Sequence, residues 1–416
     1  MADQRNVAMQ AVQRHRSTKK LIDYAGPHFA AAHLEGLMAV YARPLAGRAV
    51  EVNTGQGNGR RIVDFVRCSY LGLDNHPKII EGALKAIEEC GALHWSCART
   101  RLNFDLLGQL EEALSSLFSA HVIAYSTVLA ANMGALPLLA SGHLTQDVKP
   151  IMVFDRLAHA TLAFHKGTIA EETEVITIEH NDLETLERIC RENPCVAYIC
   201  DGVYSMGGAA PVDQLLDLQS RYGLFLYIDD AHGVSLFGDK GQGYARSHVR
   251  GALGERTIIA ASLGKGFGAS GGLLMLGTPR QAELFRRFSL PHAFSASPNL
   301  AAIGAALASE ALHRTPELKL LQNRLRERTK LFDRLFPTPF THADLPIRTI
   351  EIGDELATIG AAKAILDQGF YTSAIFFPTV AKGRAGLRIC PTAGHSEAEI
   401  KALCQSLVQI LRTTAT

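Results

Sequence analysis

Between about residues 60 and 300, short apolar runs rich in β-branched side chains alternate with amphipathic stretches. That alternation is the pattern of a largely parallel sheet covered by helices. The strand candidates are HVIAY (121–125), IMVF (151–154), EVITI (174–178), CVAYIC (195–200), LFLYI (224–228), TIIAA (257–261) and LLML (273–276). Helices are expected between them. DLETLERICREN begins at Asp182, and PVDQLLDLQSRYG has Pro211 at its entry and Gly223 just past its end, where a missing N–H and a tolerated positive φ belong. After Asn299 the pattern changes to an alanine-rich helix and a long charged helix from Thr315 to about Phe336. Strands follow near 347–352, 370–377 and 386–390, with a helix between the first two. Ser396-Glu397-Ala398-Glu399 has the spacing of a capping box that opens a last helix. The first 60 residues read as a basic helical segment followed by a glycine-rich turn, TGQGNGR, hence an arm and a hairpin. The expected organisation is an arm over 1–60, a large domain over 61–298 and a smaller α+β domain over 299–416. The expected class is α/β, with a mostly parallel seven-stranded sheet in the large domain.

Composition narrows the ligands more than the fold. The 416 residues are 47% hydrophobic and 20% charged, with 42 basic against 41 acidic side chains. So near-balanced a chain exerts no general pull on nucleic acid or anionic lipid, which directs attention to small molecules. The opening MADQRNVAMQAVQRHRSTKK lacks the apolar centre of a signal peptide, and no stretch approaches the roughly 20 apolar residues that cross a bilayer. A soluble cytoplasmic protein is expected. Eight cysteines are scattered without a C-x-x-C pair, which argues for free thiols and against a metal site.

In open α/β sheets, ligands bind beyond the carboxyl ends of the strands. Those positions are polar here: Asp155-Arg156-Leu157-Ala158-His159, Asp201-Gly202-Val203-Tyr204-Ser205, Asp229-Asp230-Ala231-His232-Gly233 and Ser262-Leu263-Gly264-Lys265. The last opens SLGKGFGASGG, part of which fits the dinucleotide fingerprint G-x-G-x-x-G. That fingerprint works only where a strand turns into a helix, and this loop instead runs into the apolar LLML. Attention therefore moves to Lys265. A lysine, a carboxylate, two imidazoles and a helix N-terminus at one rim are what pyridoxal phosphate (PLP) requires: a Schiff-base amine, a partner for the pyridine nitrogen, groups for the ring and its phenolic oxygen, and a phosphate seat. A serine hydrolase would need a G-x-S-x-G elbow, which is absent from the sequence.

Taken together, SLGKGFGASGG, IDDAHG, DGVYSM, DRLAHAT and CSYLGLDNHP resemble the α-oxoamine synthases, a family of fold-type I PLP-dependent transferases, over roughly residues 60–400. The resemblance implies that Lys265 is the Schiff-base lysine and Asp229 the partner of the pyridine nitrogen. It places His232 and Ser205 near the phenolic oxygen, His159 against the ring and Ser262 at the phosphate. Arg388, in AGLRIC, would hold the amino-acid carboxylate. It further implies a homodimer with shared active sites, in which Ser295 or Ser297 of FSASPN reaches the neighbour's phosphate.

Four departures fall at substrate-facing or phosphate-facing positions. The family's S-G-F or S-G-Y at the phosphate helix is Thr127-Val128-Leu129, whose backbone N–H groups would take over the contact. N-D-Y-L-G becomes Cys68-Ser69-Tyr70-Leu71-Gly72, so Cys68 stands where an asparagine is expected beside the amino acid. Ala296 replaces a threonine, and LHWSCARTR around Trp95 and Arg99 has lost a glycine-rich stretch. On the acyl side, Ala374-Ile375-Phe376-Phe377-Pro378 is apolar where some members carry an arginine. Phe376 is thus expected either to line a site for an uncharged acyl chain or to pack inside the small domain. The implied reaction condenses an amino acid with an acyl thioester, on coenzyme A or a carrier protein, with loss of carbon dioxide. An aminotransferase on the same scaffold, or a catalytically silent cofactor-binding subunit, are the alternatives.

Overall fold

The computed structural model describes residues 17–52, 59–341 and 343–414. Its centre is a seven-stranded sheet ordered 121–125, 272–276, 257–262, 225–229, 196–201, 151–155 and 175–178. Gly272–Leu276 is antiparallel to both neighbours and the other pairings are parallel. Most of these strands are centred on a continuous apolar run because successive residues enter two different cores. Tyr198, Cys200, Leu226, Ile228, Ile259 and Ala261 face one, and Ala197, Ile199, Phe225, Tyr227, Ile258 and Ala260 face the other.

The helices obey their sequence signals. Asp182 caps Leu183–Glu192 by accepting from Thr185 N at 3.0 Å. Val212–Tyr222 starts after Pro211 and ends at Gly223, whose φ of 72° is the left-handed stop that glycine provides. The long charged helix is Pro316–Leu335, capped by Thr315. At the last helix, Ser396 and Glu399 form the reciprocal capping box. Among the described residues, no helix is long and apolar enough to cross a membrane.

The C-terminal region has its own antiparallel sheet, with Ala385–Ile389 between Arg348–Gly353 and Ser373–Ile375. The single strand expected over 370–377 is broken. Phe370–Tyr371 pairs in parallel with Arg60–Asp64, whereas Ser373–Ile375 pairs with Ala385–Ile389, so the chain changes sheets at the buried Thr372. Arg60–Asp64 in turn forms the expected hairpin with Ala49–Val52, and Ala42–Pro44 adds an outer strand. Residues 54–58 of TGQGNGR lie outside the described residues.

A buried ion-pair network fixes the segment that follows. Asp64 accepts from Arg48 at 3.2 Å, from Val66 N at 2.8 Å and from Arg67 N at 3.1 Å, while Arg48 and Arg67 both reach Asp74. Burial opposes the charge on Asp64, but Arg67 and the backbone donors outweigh it and hold the carboxyl below its usual range. Residues 64–74, and Cys68 and Tyr70 with them, are thereby pinned across the rim of the large sheet.

Candidate active site

Side chains alternate along a strand. Counting from Phe225 and Tyr227, Asp229 belongs to the face covered by helix Val128–Ala140, and by the same count so do Asp201 and Ser262. Asp201 and Asp229 are direct neighbours in the parallel ladder. Each of these polar residues is the last residue of its strand rather than the first beyond it. Asp155 falls on the opposite parity and does structural work. It accepts from Tyr198 OH at 2.9 Å, Leu157 N at 2.7 Å and Asn181 N at 2.9 Å, with His180 at 3.2 Å.

Asp229 is held from both sides. Asn132 Nδ2 donates to its Oδ2 at 3.0 Å and Ala231 N to its Oδ1 at 3.1 Å. Asn132 is fully buried, accepts from Tyr227 OH at 2.7 Å and reaches Thr161 Oγ1 at 3.1 Å. Thr161 then contacts His159 Nδ1 at 2.9 Å, and the His159 backbone N–H donates to Asp201 at 3.0 Å. Burial, aided by the neighbouring Asp229 charge, raises Asp201 well above the usual carboxylate range. The second aspartate of D-D-A-H is different in kind. Asp230 accepts from Ala245 N at 3.0 Å, and burial likewise raises it above the usual carboxylate range. A Cβ at Gly202 would come within 2.6 Å of its carboxyl oxygen, so glycine leaves it room.

The lysine loop joins Thr257–Ser262 to Gly272–Leu276. Two of its glycines make the site possible. Gly268, at φ 76°, lies where any side chain would run into Leu73, and Gly272 where one would run into the backbone of Thr127 and Val128. The loop is therefore pressed against both the Cys68–Leu73 segment and the start of helix Val128–Ala140. Lys265 Nζ lies 2.9 Å from His232 Nε2, and His232 Nδ1 lies 2.7 Å from Tyr70 OH. Burial lowers Lys265 below its usual range against the pull of Asp229. Burial, together with the Lys265 and Arg388 charges, drives His232 far below its own, leaving a neutral imidazole.

Thr127 caps the helix by accepting from Ala130 N at 3.1 Å. The backbone N–H groups of Val128 and Leu129 are in the first turn, without intrahelical acceptors and at the positive end of the helix dipole, which suits a phosphate. Ser262 Oγ is turned onto its own loop, accepting from Gly264 N at 3.1 Å.

Arg388 comes from the small sheet. Its Nε donates to the main-chain oxygen of Ser205 at 2.6 Å and its Nη2 to Cys68 Sγ at 3.4 Å. The Cys390 thiol, the Arg388 charge and the Tyr70 hydroxyl all favour the ionised sulfur and, against the cost of burial, bring Cys68 down to about 4. Cys390 is correspondingly raised and keeps its proton.

Lys265, Asp229, His232, His159, Arg388 and Cys68 thus form one connected set. Three other expected residues have their contacts elsewhere. Phe376 does not line an open channel; it is 4% exposed in the small-domain core, with ring contacts to His28 and Phe29. It leaves its strand after Ile375 and turns inward, which is the packing alternative. Ser295 and Ser297 bond to the main chain of Ala296 and Pro298 at 3.4 and 3.0 Å. The altered stretch near Trp95 is structural in this chain: Trp95 stacks on Phe104, and Arg99 pairs with Glu111 at 2.7 Å. Asn132, Tyr70 and Asp201 join the site without having been given a role from the sequence. Asn132 had left a signal, since it is the one polar side chain in VLAANMGALPLLA.

These residues fit PLP by their chemistry. A lysine amine, a carboxylate fixed by two donors and a helix start pressed against the lysine loop all converge on one rim. Comparison with known proteins agrees. The family model for aminotransferase class I and II matches residues 61–407. The 8-amino-7-oxononanoate synthase of Coprothermobacter proteolyticus is 31% identical, over 82% of this chain and 86% of its own. That of Maricaulis maris is 32% identical, over 89% and 91%. In fold, the chain is similar to serine palmitoyltransferase from S. paucimobilis, solved with PLP and myriocin bound: TM-score 0.82, 20% identity, covering 96% of this chain and all of that one.

Proposed function

The chain belongs to the aminotransferase class I and II family, and within it to the α-oxoamine synthases; on that premise we propose the reaction and the part each residue takes in it. It is a PLP-dependent acyltransferase that joins an α-amino acid to an acyl thioester and releases carbon dioxide, giving an α-aminoketone. When bound, PLP supplies the electron sink that stabilises negative charge at the amino acid's Cα.

Lys265 would hold the cofactor, and its lowered basicity suits an amine that takes and returns a proton near neutral pH. Asp229 would face the ring nitrogen, with Asn132 and Ala231 N fixing its two oxygens. His159 would lie against the ring and neutral His232 beside the phenolic oxygen. The N–H groups of Val128 and Leu129 would take the phosphate, with Ser262 at its margin. Arg388 would anchor the amino-acid carboxylate. The observation that carries this reading is the contact chain Lys265–His232–Tyr70 beside the doubly held Asp229.

A homodimer with shared sites is part of the proposal. Leu129, Met133, Phe288, Leu290 and Phe294 are exposed on or beside two contacting helices, an apolar surface that a second copy would cover. Ser295 and Ser297 follow directly and would reach the partner's phosphate. Eight free thiols suit a reducing, cytoplasmic setting. Incubation with a panel of amino acids and acyl thioesters should yield an α-aminoketone identified by mass. Borohydride reduction should leave the cofactor mass on Lys265; attachment at another lysine would remove the basis of the assignment.

A further inference from the structure

Lys265 and His232 stand on different loops, and their side chains meet at 2.9 Å. Both loops are held by a helix that carries no part of the reaction, Leu300–His313. From it, Ser309 Oγ donates to the carbonyl oxygen of Phe267, two residues after the lysine, at 2.5 Å. The His313 ring stacks on Phe267, with centroids 4.4 Å apart and planes at 27°. The same ring reaches the other loop, where its Nε2 lies 2.8 Å from Ser235 Oγ, three residues after His232.

The neighbours of the ring fix its tautomer. His313 Nδ1 lies 2.7 Å from the Ser309 carbonyl oxygen, which can only accept, so Nδ1 carries the proton and Nε2 accepts from the Ser235 hydroxyl. Burial lowers His313 to about 4, in keeping with a neutral ring. Ser235 is fixed on every side. Its N–H donates to Gly241 O at 2.8 Å, its carbonyl oxygen accepts from Gln322 Nε2 at 3.0 Å, and its φ is 74°, a left-handed conformation that serine keeps only when its surroundings impose it. The two loops also touch. A Cβ at Gly266 would come within 2.7 Å of Val234 O and the Leu236 side chain, and one at Gly241 within 2.8 Å of the His313 ring. A shift in one loop is therefore passed to the other.

We propose that His313 is a positioning residue for the Lys265–His232 pair: one buried imidazole, bonded to the His232 loop and stacked on the lysine loop, sets where the lysine amine meets the cofactor aldehyde. It acts through Ser235 and Phe267, not by contact with the substrate. The inference rests on the reading of Lys265 as the cofactor lysine and deepens it.

Capture of PLP separates position from fold. Apoenzyme is mixed with PLP, samples are reduced with borohydride at intervals, and the cofactor mass on Lys265 is followed. Pyridoxamine phosphate has an amine in place of the aldehyde and cannot bond to the lysine, so its affinity reports the rest of the cofactor site. His313→Phe keeps a ring against Phe267 and loses the Ser235 bond. Ser235→Ala loses the same bond from the other side with the least change of shape. Each should slow capture about tenfold or more, since a misplacement on the order of 1 Å costs up to about 100-fold, while the Kd for pyridoxamine phosphate stays within about threefold of wild type. His313→Gln, whose amide oxygen can accept from Ser235, should recover most of the rate. The double variant should be no slower than the slower single one, because both changes delete one bond. Capture within about twofold of wild type in Ser235→Ala, an equal loss of affinity for pyridoxamine phosphate, or additive effects in the double variant would overturn the inference. If His313→Phe does not fold, Ser235→Ala alone decides. Cofactor mass on a lysine other than Lys265 in the wild type would instead strike the underlying reading, whatever the variants do.

Discussion

Asn132 is where the fold touches the chemistry, and replacing it with leucine separates the two. Leucine has nearly the same shape, so Asn132→Leu leaves little cavity and deletes three hydrogen bonds: to Asp229, to Thr161 and from Tyr227. A bond to a charged carboxylate contributes about 1.5–3 kcal/mol and a neutral one about 0.5–1.5 kcal/mol. With buried partners left unpaired, the fold should lose roughly 3–5 kcal/mol. If the Asp229 bond of about 2–3 kcal/mol acts through the position of that carboxylate, kcat/KM should fall about 30- to 150-fold. The control is Tyr227→Phe, which removes another bond of the same asparagine and leaves Asp229 held. It should lower stability by about 1 kcal/mol and change kcat/KM by less than about fivefold. The assays are thermal melting and steady-state rates at saturating thioester, with cofactor content measured alongside. A kcat/KM for Asn132→Leu within about threefold of wild type (~0.7 kcal/mol), despite a lowered melting temperature, would refute the reasoning.

Asp229→Asn should retain cofactor yet lose about a thousandfold or more in kcat, ~4 kcal/mol, since the amide cannot keep a ring nitrogen charged; wild-type turnover would remove that role. Acid stability depends on buried histidines. His313 and His395 are each lowered to about 4, chiefly by burial. A depressed folded value gives stability that is present above about pH 6.5 and lost as pH falls through 4, at up to about 1.4 kcal/mol per pH unit per group. Melts from pH 7 to 4 should show this decline, and His313→Gln, which keeps contacts to Ser309 and Ser235 within reach, should make it shallower; an unchanged slope would contradict it. If the proposed homodimer forms, Leu290→Glu and Phe294→Glu should convert it to monomer in sedimentation, and a wild-type monomer would refute the shared-site arrangement.

The large sheet was legible because most of its apolar runs are buried on both faces, and four of them close on a polar residue, Asp155, Asp201, Asp229 or Ser262. What the runs understate is the last residue: Asp201, Asp229 and Ser262 close their strands rather than follow them, because a carboxylate or hydroxyl at the rim can still pair its backbone in the ladder. Parity then sorts Asp229 from Asp155, a distinction no single strand sequence carries. Helix signals worked where the cap is local, as at Asp182 and Ser396. Contacts between distant segments were out of reach. Arg388 meets Cys68 across 320 residues, and the strand break at Thr372 follows from a partner at Arg60–Asp64 that is likewise distant in sequence. Phe376 stayed open between two readings for a related reason, since an apolar residue beside a strand end packs inward or lines a channel according to neighbours supplied by the N-terminal helix.

The central claim is that carbanion formation at the amino acid leads to acyl transfer and decarboxylation. The direct measurement uses a carboxyl-labelled amino acid, counting free thiol and labelled carbon dioxide together. The two should appear in equal amounts, only when both amino acid and acyl thioester are present, and with the cofactor recovered as the aldehyde. Release of a keto acid with the cofactor converted to its amine form, in the absence of thioester, would contradict the account and make the enzyme an aminotransferase.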